Sequence, residues 1–298
     1  MADTSTSRAS AFSFTVDVED YFQTEAMARV VTREQWDRMP SRVEQSTDRI
    51  LEILSRSGAH GTFFFLGWVA QRYPKLVRRV ADRGHEIACH SYWHRLVYKL
   101  SPEEFRDDTK LAKDVIQDAC GREVVGYRAP CFSFTRGTEW AHEILAELGF
   151  RYSSSICPVK HDIYDNSTAP SSPHVVASGK LVELPIPTLP VAGVNTAAGG
   201  GGYLRLAPYW YTSWAVKRIH RVRKYMIVYV HPWELDPDQP RLPAESRSRF
   251  RQYTGLRSMA GKLDRLLRSF AFVPIVDLCL SEGGTPPDNS MSLNTALK

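Results

Sequence analysis

Strand-like apolar runs alternate with helix signals along most of the chain. Residues 11–16 (AFSFTV) predict a strand that closes on the acidic cluster Asp17, Val18, Glu19, Asp20. Ser41 and Glu44 stand as a capping box opening a helix that runs toward Gly58. Residues 61–66 predict a buried strand, followed by a helical stretch through Tyr73 and Pro74 to about Arg83, then a short strand at 85–89. Ser101, Pro102 and Glu104 supply an N-cap, a first-turn proline and an early acid for a helix ending near Gly121. Strand, helix and strand follow at 124–129, 138–148 and 150–156. Residues 157–208 are rich in Pro, Gly, Ser and Thr and predict an irregular region. Within it, Gly199, Gly200, Gly201 and Gly202 lack the helix-start context of a phosphate site and read as a flexible turn. The regular pattern resumes with a helix at 209–223, a strand at Tyr225–Val230, a helix from about 245 to 270 and a last strand at 272–277. Repeated βα units predict one α/β domain over 11–283 with a parallel sheet, open or closed into a barrel, and a site at the carboxyl ends of its strands. Residues 1–10 and 284–298 read as flexible termini.

Composition adds little to that picture. Of 298 residues, 43% are hydrophobic and 24% charged, the balance of a soluble globular protein. The net charge of +5 is mild, and with 33 acids and no recognition motif it does not point to nucleic acid. Five cysteines form no C-x-x-C pair and are odd in number, which fits a reduced compartment. The start lacks an apolar signal core and no long apolar run occurs, so a cytoplasmic location is expected.

Chemistry-bearing residues collect at the predicted strand ends. The clusters are Asp17 to Asp20, His90 to His94, Arg128 to Phe132, Tyr152 to Ser155, and His231 to Glu234. Two imidazoles four residues apart on a helical turn face the same way and can reach one cation. A nearby carboxylate completes three protein ligands and leaves positions open, the pattern of a catalytic rather than a structural metal. Trp93 and Trp233, each beside a candidate catalytic group, read as apolar walls for a sugar ring.

These motifs resemble the NodB-homology polysaccharide deacetylases (carbohydrate esterase family 4), nearest the subgroup of PEP-CTERM-type exopolysaccharide loci. The resemblance rests on the segment from Phe14 to Phe22, on His90-Ser-Tyr-Trp-His94, on Tyr127 to Ser133, and on the segment from Val228 to Asp236. It implies a distorted (β/α) barrel and hydrolytic removal of an N-acetyl group from an amino sugar. Asp17 would be the general base, oriented by Arg128, and His231 the general acid. His90 and His94 would hold a divalent ion, zinc or else cobalt or another metal, and the Cys131 N–H would help hold the oxyanion. An acetamide is a poor electrophile with a poor leaving group, so such aids are chemically required.

Two positions depart from the family pattern. The usual paired aspartates are replaced by Asp17-Val18-Glu19-Asp20, so the third ligand is Glu19 or Asp20. Strand alternation favours Glu19, which shares a face with Asp17, and a bulged strand end would favour Asp20. Ser153 stands where an aspartate is usual, leaving no supporting carboxylate from that strand. The run of Tyr209, Trp210, Tyr211 and Trp214 before the basic segment 217–224 reads as a barrel helix with a solvated face, or as a membrane-surface patch approaching lipid-linked sugars at the inner membrane face. His161 lies where it could overhang the site. Deacylation of another amide, or silent carbohydrate binding, are the competing functions.

Overall fold

The computed structural model describes residues 11–280; the termini expected to be flexible, 1–10 and 284–298, lie outside them, as do residues 281–283 of the expected domain. Its centre is strand β1 (Ala11–Val18), flanked in parallel by β2 (Thr62–Phe65) on one side and β10 (Tyr225–Val230) on the other. From β2 the sheet continues through β3 (Glu86–Cys89), β4 (Gly126–Tyr127) and β5 (Tyr152–Ser153) to β7 (Leu181–Glu183), with β6 (His174–Val176) antiparallel at the edge. The short β11 (Phe272–Val273) adds a second contact to β1. A separate hairpin pairs β8 (Leu189–Val191) with β9 (Val194–Thr196). The sheet curls toward closure, but the gap beside β10 is filled by a loop: Tyr225 Oη donates to Pro185 O at 2.6 Å, and Gly200 bridges to Tyr229. The result is the distorted (β/α) barrel that the resemblance implied.

Alternation along β1 sorts its side chains. Phe12, Phe14, Val16 and Val18 join the large core under the helices, whereas Ser13, Thr15 and Asp17 point into the barrel. The interior is layered. Thr62 Oγ1 and Tyr152 Oη both donate to the Glu86 carboxylate at the floor, 2.6 and 2.7 Å away. Phe64, Ala88 and Ile227 form the apolar middle, and Asp17, His90, Arg128 and His231 close the top at the carboxyl ends of their strands.

Helices pack outside: α1 (Val43–Ser57), α2 (Gly67–Arg72), α3 (Pro74–Asp82), α4 (Pro102–Cys120), α5 (Trp140–Glu147), α6 (Gly201–Leu206), α7 (Tyr209–Arg223), α8 (Ser246–Tyr253), α9 (Leu256–Ser269) and α10 (Ile275–Leu280). Among the described residues none is long and apolar enough to cross a membrane. The capping box at Ser101 and Glu104 forms, and Gly121 ends α4 with φ 66°.

Several expectations are corrected. Ser41 does not cap α1; its hydroxyl donates to Asp20 Oδ2 at 2.6 Å, and that same oxygen accepts from the Arg42 and Val43 N–H groups at the helix start. Pro74 starts a second helix where one was expected, because it cannot continue the ladder of the first. Gly255 at φ 78° divides the helix expected over 245–270. The strand expected at 272–277 shrinks to two residues followed by α10. The region 157–208 is irregular only in part: residues 157–173 hold no helix or strand, but the remainder supplies two strands of the main sheet, the hairpin and α6.

Candidate metal centre and active site

β1 ends in a tight turn, with the Glu19 N–H donating to Asp17 O at 3.0 Å, and both carboxylates reach the same cavity. One donor atom each of Glu19, His90 and His94 lies within 4.8 Å of the others, and all three residues are buried. His90 follows β3 directly. Its Nδ1 sits 2.8 Å from Arg128 O, which places the proton on Nδ1 and leaves the Nε2 lone pair free. His94 does not arrive on a helical turn as expected. The chain folds back through left-handed positions at Ser91 (φ 65°) and His94 (φ 52°), pinned by the Ser91 hydroxyl and by Asp108, which accepts from the Tyr92 and Trp93 N–H groups.

This donor set fits a divalent ion. Burial lowers His90 to about 4, so its ring stays neutral. Burial alone would raise Glu19, but the surrounding histidines, His94 foremost, outweigh it and hold the carboxyl at about 2. Glu19 Oε2 lies 3.0 Å from His94 Nε2 yet makes no well-formed hydrogen bond among the described residues, a buried carboxylate oxygen left facing two imidazoles. Two nitrogens and one oxygen are a borderline set that suits zinc. Asp20 is not part of the cluster, because its carboxylate is committed to Ser41 and the first amides of α1.

Arg128, fully buried, donates to Asp17 Oδ1 at 2.7 Å and to Thr15 Oγ1 at 2.8 Å, while its Nε reaches Ser154 O at 3.2 Å. Its guanidinium lies 4.1 Å from the centre of the Phe64 ring. A carboxylate does stand beside Ser153, but it holds the loop rather than Arg128. Glu183 stands in register with Ser153, accepts from the Ser155 and Ile156 N–H groups at 2.9 and 3.0 Å, and pairs with His142 at 3.3 Å. Arg128→Ala leaves Asp17 buried without a partner and is expected to cost about 3–5 kcal/mol of stability. Denaturant unfolding of the variant would show it, and a loss below 1 kcal/mol would refute it.

His231 follows β10. Its Nε2 lies 3.6 Å from Glu19 Oε1 and 4.0 Å from Asp17 Oδ2. Its Nδ1 faces Glu234 Oε2 at 3.3 Å, and Arg205 Nε holds the other oxygen of Glu234 at 2.9 Å. Burial works against the imidazolium, but the Glu234 hydrogen bond and the charges of Glu19, Glu234 and Asp17 raise His231 to about 9. Arg205 went unrecognised in the sequence, and Glu234 stood there only as the end of the His231 cluster, with no role given to it. The available signal was the glycine run: a Cβ built on Gly201 falls inside the Glu234 carboxylate. Gly199, Gly200 and Gly201 are packing positions rather than the flexible turn expected, whereas a Cβ on Gly202 would meet open space. Gly201→Ala should displace Glu234 and lower kcat by less than removal of His231 itself, with KM little changed; unaltered kinetics would show that Glu234 does not position the imidazole.

The cavity over these groups measures about 390 Å³. Asp17, Glu19, His90, His94, Cys131, His231 and Trp233 line its floor, and Lys160, His161, Tyr164, Asn195, Thr196 and Tyr203 line its rim. Trp233 stacks on His231 with ring centres 5.4 Å apart and donates to Glu19 Oε1 at 3.3 Å. Trp93 is no wall of this cavity: it packs against Trp36 and Tyr92, ring centres 6.1 and 4.8 Å away. At the third cluster, Cys131 has φ 52°, and the Phe132 and Ser133 N–H groups bond to Ala129 O and Pro130 O.

Residues 34–153 match the family model described as polysaccharide deacetylase, and residues 154–280 match a domain of unknown function, DUF3473. A peptidoglycan-N-acetylglucosamine deacetylase of Bacillus cereus is 32% identical over 75 residues, 25% of this chain and 27% of that protein. A chitooligosaccharide deacetylase of Bradyrhizobium sp. is 27% identical over 100 residues, 34% of this chain and 43% of that one. The chain thus spans well under half the length of these curated relatives. A Mycobacterium smegmatis protein assigned to the polysaccharide deacetylases, 22% identical, superposes with a TM-score of 0.54 over 89% of this chain and 92% of its own, which shows a shared fold. The two family matches meet beside β5, inside one continuous sheet. Residues 34–153 are thus similar to the polysaccharide deacetylases, and the segment matching DUF3473 supplies the strands that complete the same barrel.

Proposed function

We propose that the protein is a metal-dependent hydrolase that removes the N-acetyl group of an amino sugar during assembly of an exopolysaccharide or lipid-linked glycan, working in the cytoplasm at the inner face of the membrane. The observation that carries this reading is convergence: Glu19, His90 and His94 cluster while Asp17 and His231 Nε2 face the same space 4.0 Å apart. The relatives named above as deacetylases of N-acetylglucosamine-containing glycans support the substrate class.

Held by Glu19, His90 and His94, zinc or a similar divalent ion would polarise the acetyl carbonyl and acidify a water. Asp17 takes the proton from the attacking water through Oδ2, since Arg128 fixes Oδ1. The His231 imidazolium delivers a proton from Nε2 to the departing nitrogen, its Nδ1 held by Glu234. The Cys131 N–H serves the developing oxyanion, its neighbours being tied to carbonyls within the loop. Trp233 walls the sugar. Acetate release from N-acetylated nucleotide, lipid-linked and polymeric sugars tests the proposal. A folded, metal-loaded protein that frees acetate from none of them would overturn it.

A further inference from the structure

One surface of the molecule is unlike the rest. Between Glu183 and Glu234 the chain carries no acidic residue and six basic ones: Arg205, Lys217, Arg218, Arg221, Arg223 and Lys224. On α7 the buried side is Thr212, Ala215, Val216 and Ile219, which pack inward. The opposite stripe is Trp210, Trp214, Lys217 and Arg221, at spacings of four, three and four residues, hence on one face. Trp210 is 71% exposed and Trp214 49%, an unusual fate for tryptophan in the absence of a partner. Two neighbouring elements continue the pattern. The hairpin β8–β9 packs on α7 and exposes Val191 and Val194, the latter at 66%, and α6 exposes Leu206. The same hairpin and α6 supply Asn195, Thr196 and Tyr203 to the rim of the cavity.

We propose that this face docks on an anionic membrane surface and so sets the mouth of the cavity against the lipid headgroups. Tryptophans suit the boundary between headgroup and acyl chain, having an apolar body and one polar N–H. The basic end of the same stripe meets the negative surface potential. A stripe that mixes large aromatics with cations that form no ion pair among the described residues matches that boundary in both respects. The proposal rests on the lipid-linked reading of the substrate for its purpose but not for its test, which uses lipid alone.

The test is sedimentation of the full chain with vesicles of phosphatidylcholine, with and without phosphatidylglycerol. Binding is expected only to the anionic vesicles, with a blue shift of tryptophan emission, and should weaken as salt rises. Trp210→Ser with Trp214→Ser should lose at least tenfold in affinity. Lys217→Gln and Arg221→Gln should each lose roughly fivefold. Acetate release from a soluble sugar should be unchanged in all of them, which shows that the fold persists. Equal binding to neutral vesicles, no binding at all, or variants that bind like the parent would each overturn the proposal. So would a parent dimer that the tryptophan variants abolish, since a second copy would then be the occupant. None of these outcomes touches the deacetylase chemistry, which acetate release alone decides.

Discussion

His90→Ala and His94→Ala are each expected to abolish tight divalent-metal binding and, with it, turnover. Each change leaves two of the three ligands, and two neutral or singly charged donors cannot hold an ion at catalytic occupancy. Glu19→Ala should do the same, because its carboxylate is the one anion in the cluster. Asp20→Ala is the contrasting case. It should keep the metal and lose about 0.5–2 kcal/mol of stability instead, as the amides of Arg42 and Val43 lose their acceptor. Elemental analysis of the four purified variants, with thermal unfolding alongside, separates the two outcomes. Metal retained in Glu19→Ala and lost in Asp20→Ala would reverse the assignment.

Asp17→Asn and His231→Ala should each lower kcat by roughly 10²–10⁴ while metal content and fold survive, the usual scale for a positioned proton-transfer group. pH adds a sharper test. His231 acts protonated, and its raised value means that the useful form is full at neutral pH and is lost as pH climbs toward about 9. A cation beside Glu19 offsets one of the charges that raise it, so the basic limb of the metal-loaded enzyme should fall somewhat below that. Glu234→Gln removes a hydrogen bond to the charged ring and must move the limb further down. A basic limb that stays in place in Glu234→Gln, or survives in His231→Ala, would assign the acid to another group.

The parts of this site that the sequence made legible are those borne on single strands. Val228 to His231 and Glu86 to His90 show their strand and their terminal imidazole in one continuous run. What stayed hidden depends on two segments meeting. Glu183 stands beside Ser153 and holds the Ser155 and Ile156 amides only because β7, three residues long and set among prolines, pairs with β5. Arg205 and Glu234 find each other across a glycine that exists to let them. Asp20 read as a possible ligand because its neighbours in sequence are acidic, yet its partners are Ser41, Arg42 and Val43. Spacing along the chain carries no information about such pairs.

The order in which the barrel's strands are made has a consequence for biosynthesis. Thr15, in the first strand, donates its hydroxyl to Val228, 213 residues later, within the pairing of β1 with β10. A nascent chain therefore holds β1 with one edge unfilled through most of its synthesis, and closing a loop of that length is slow compared with local folding. Chains terminated before residue 225 should accordingly be insoluble rather than merely inactive, an outcome that expression of 1–224 beside the full chain would show.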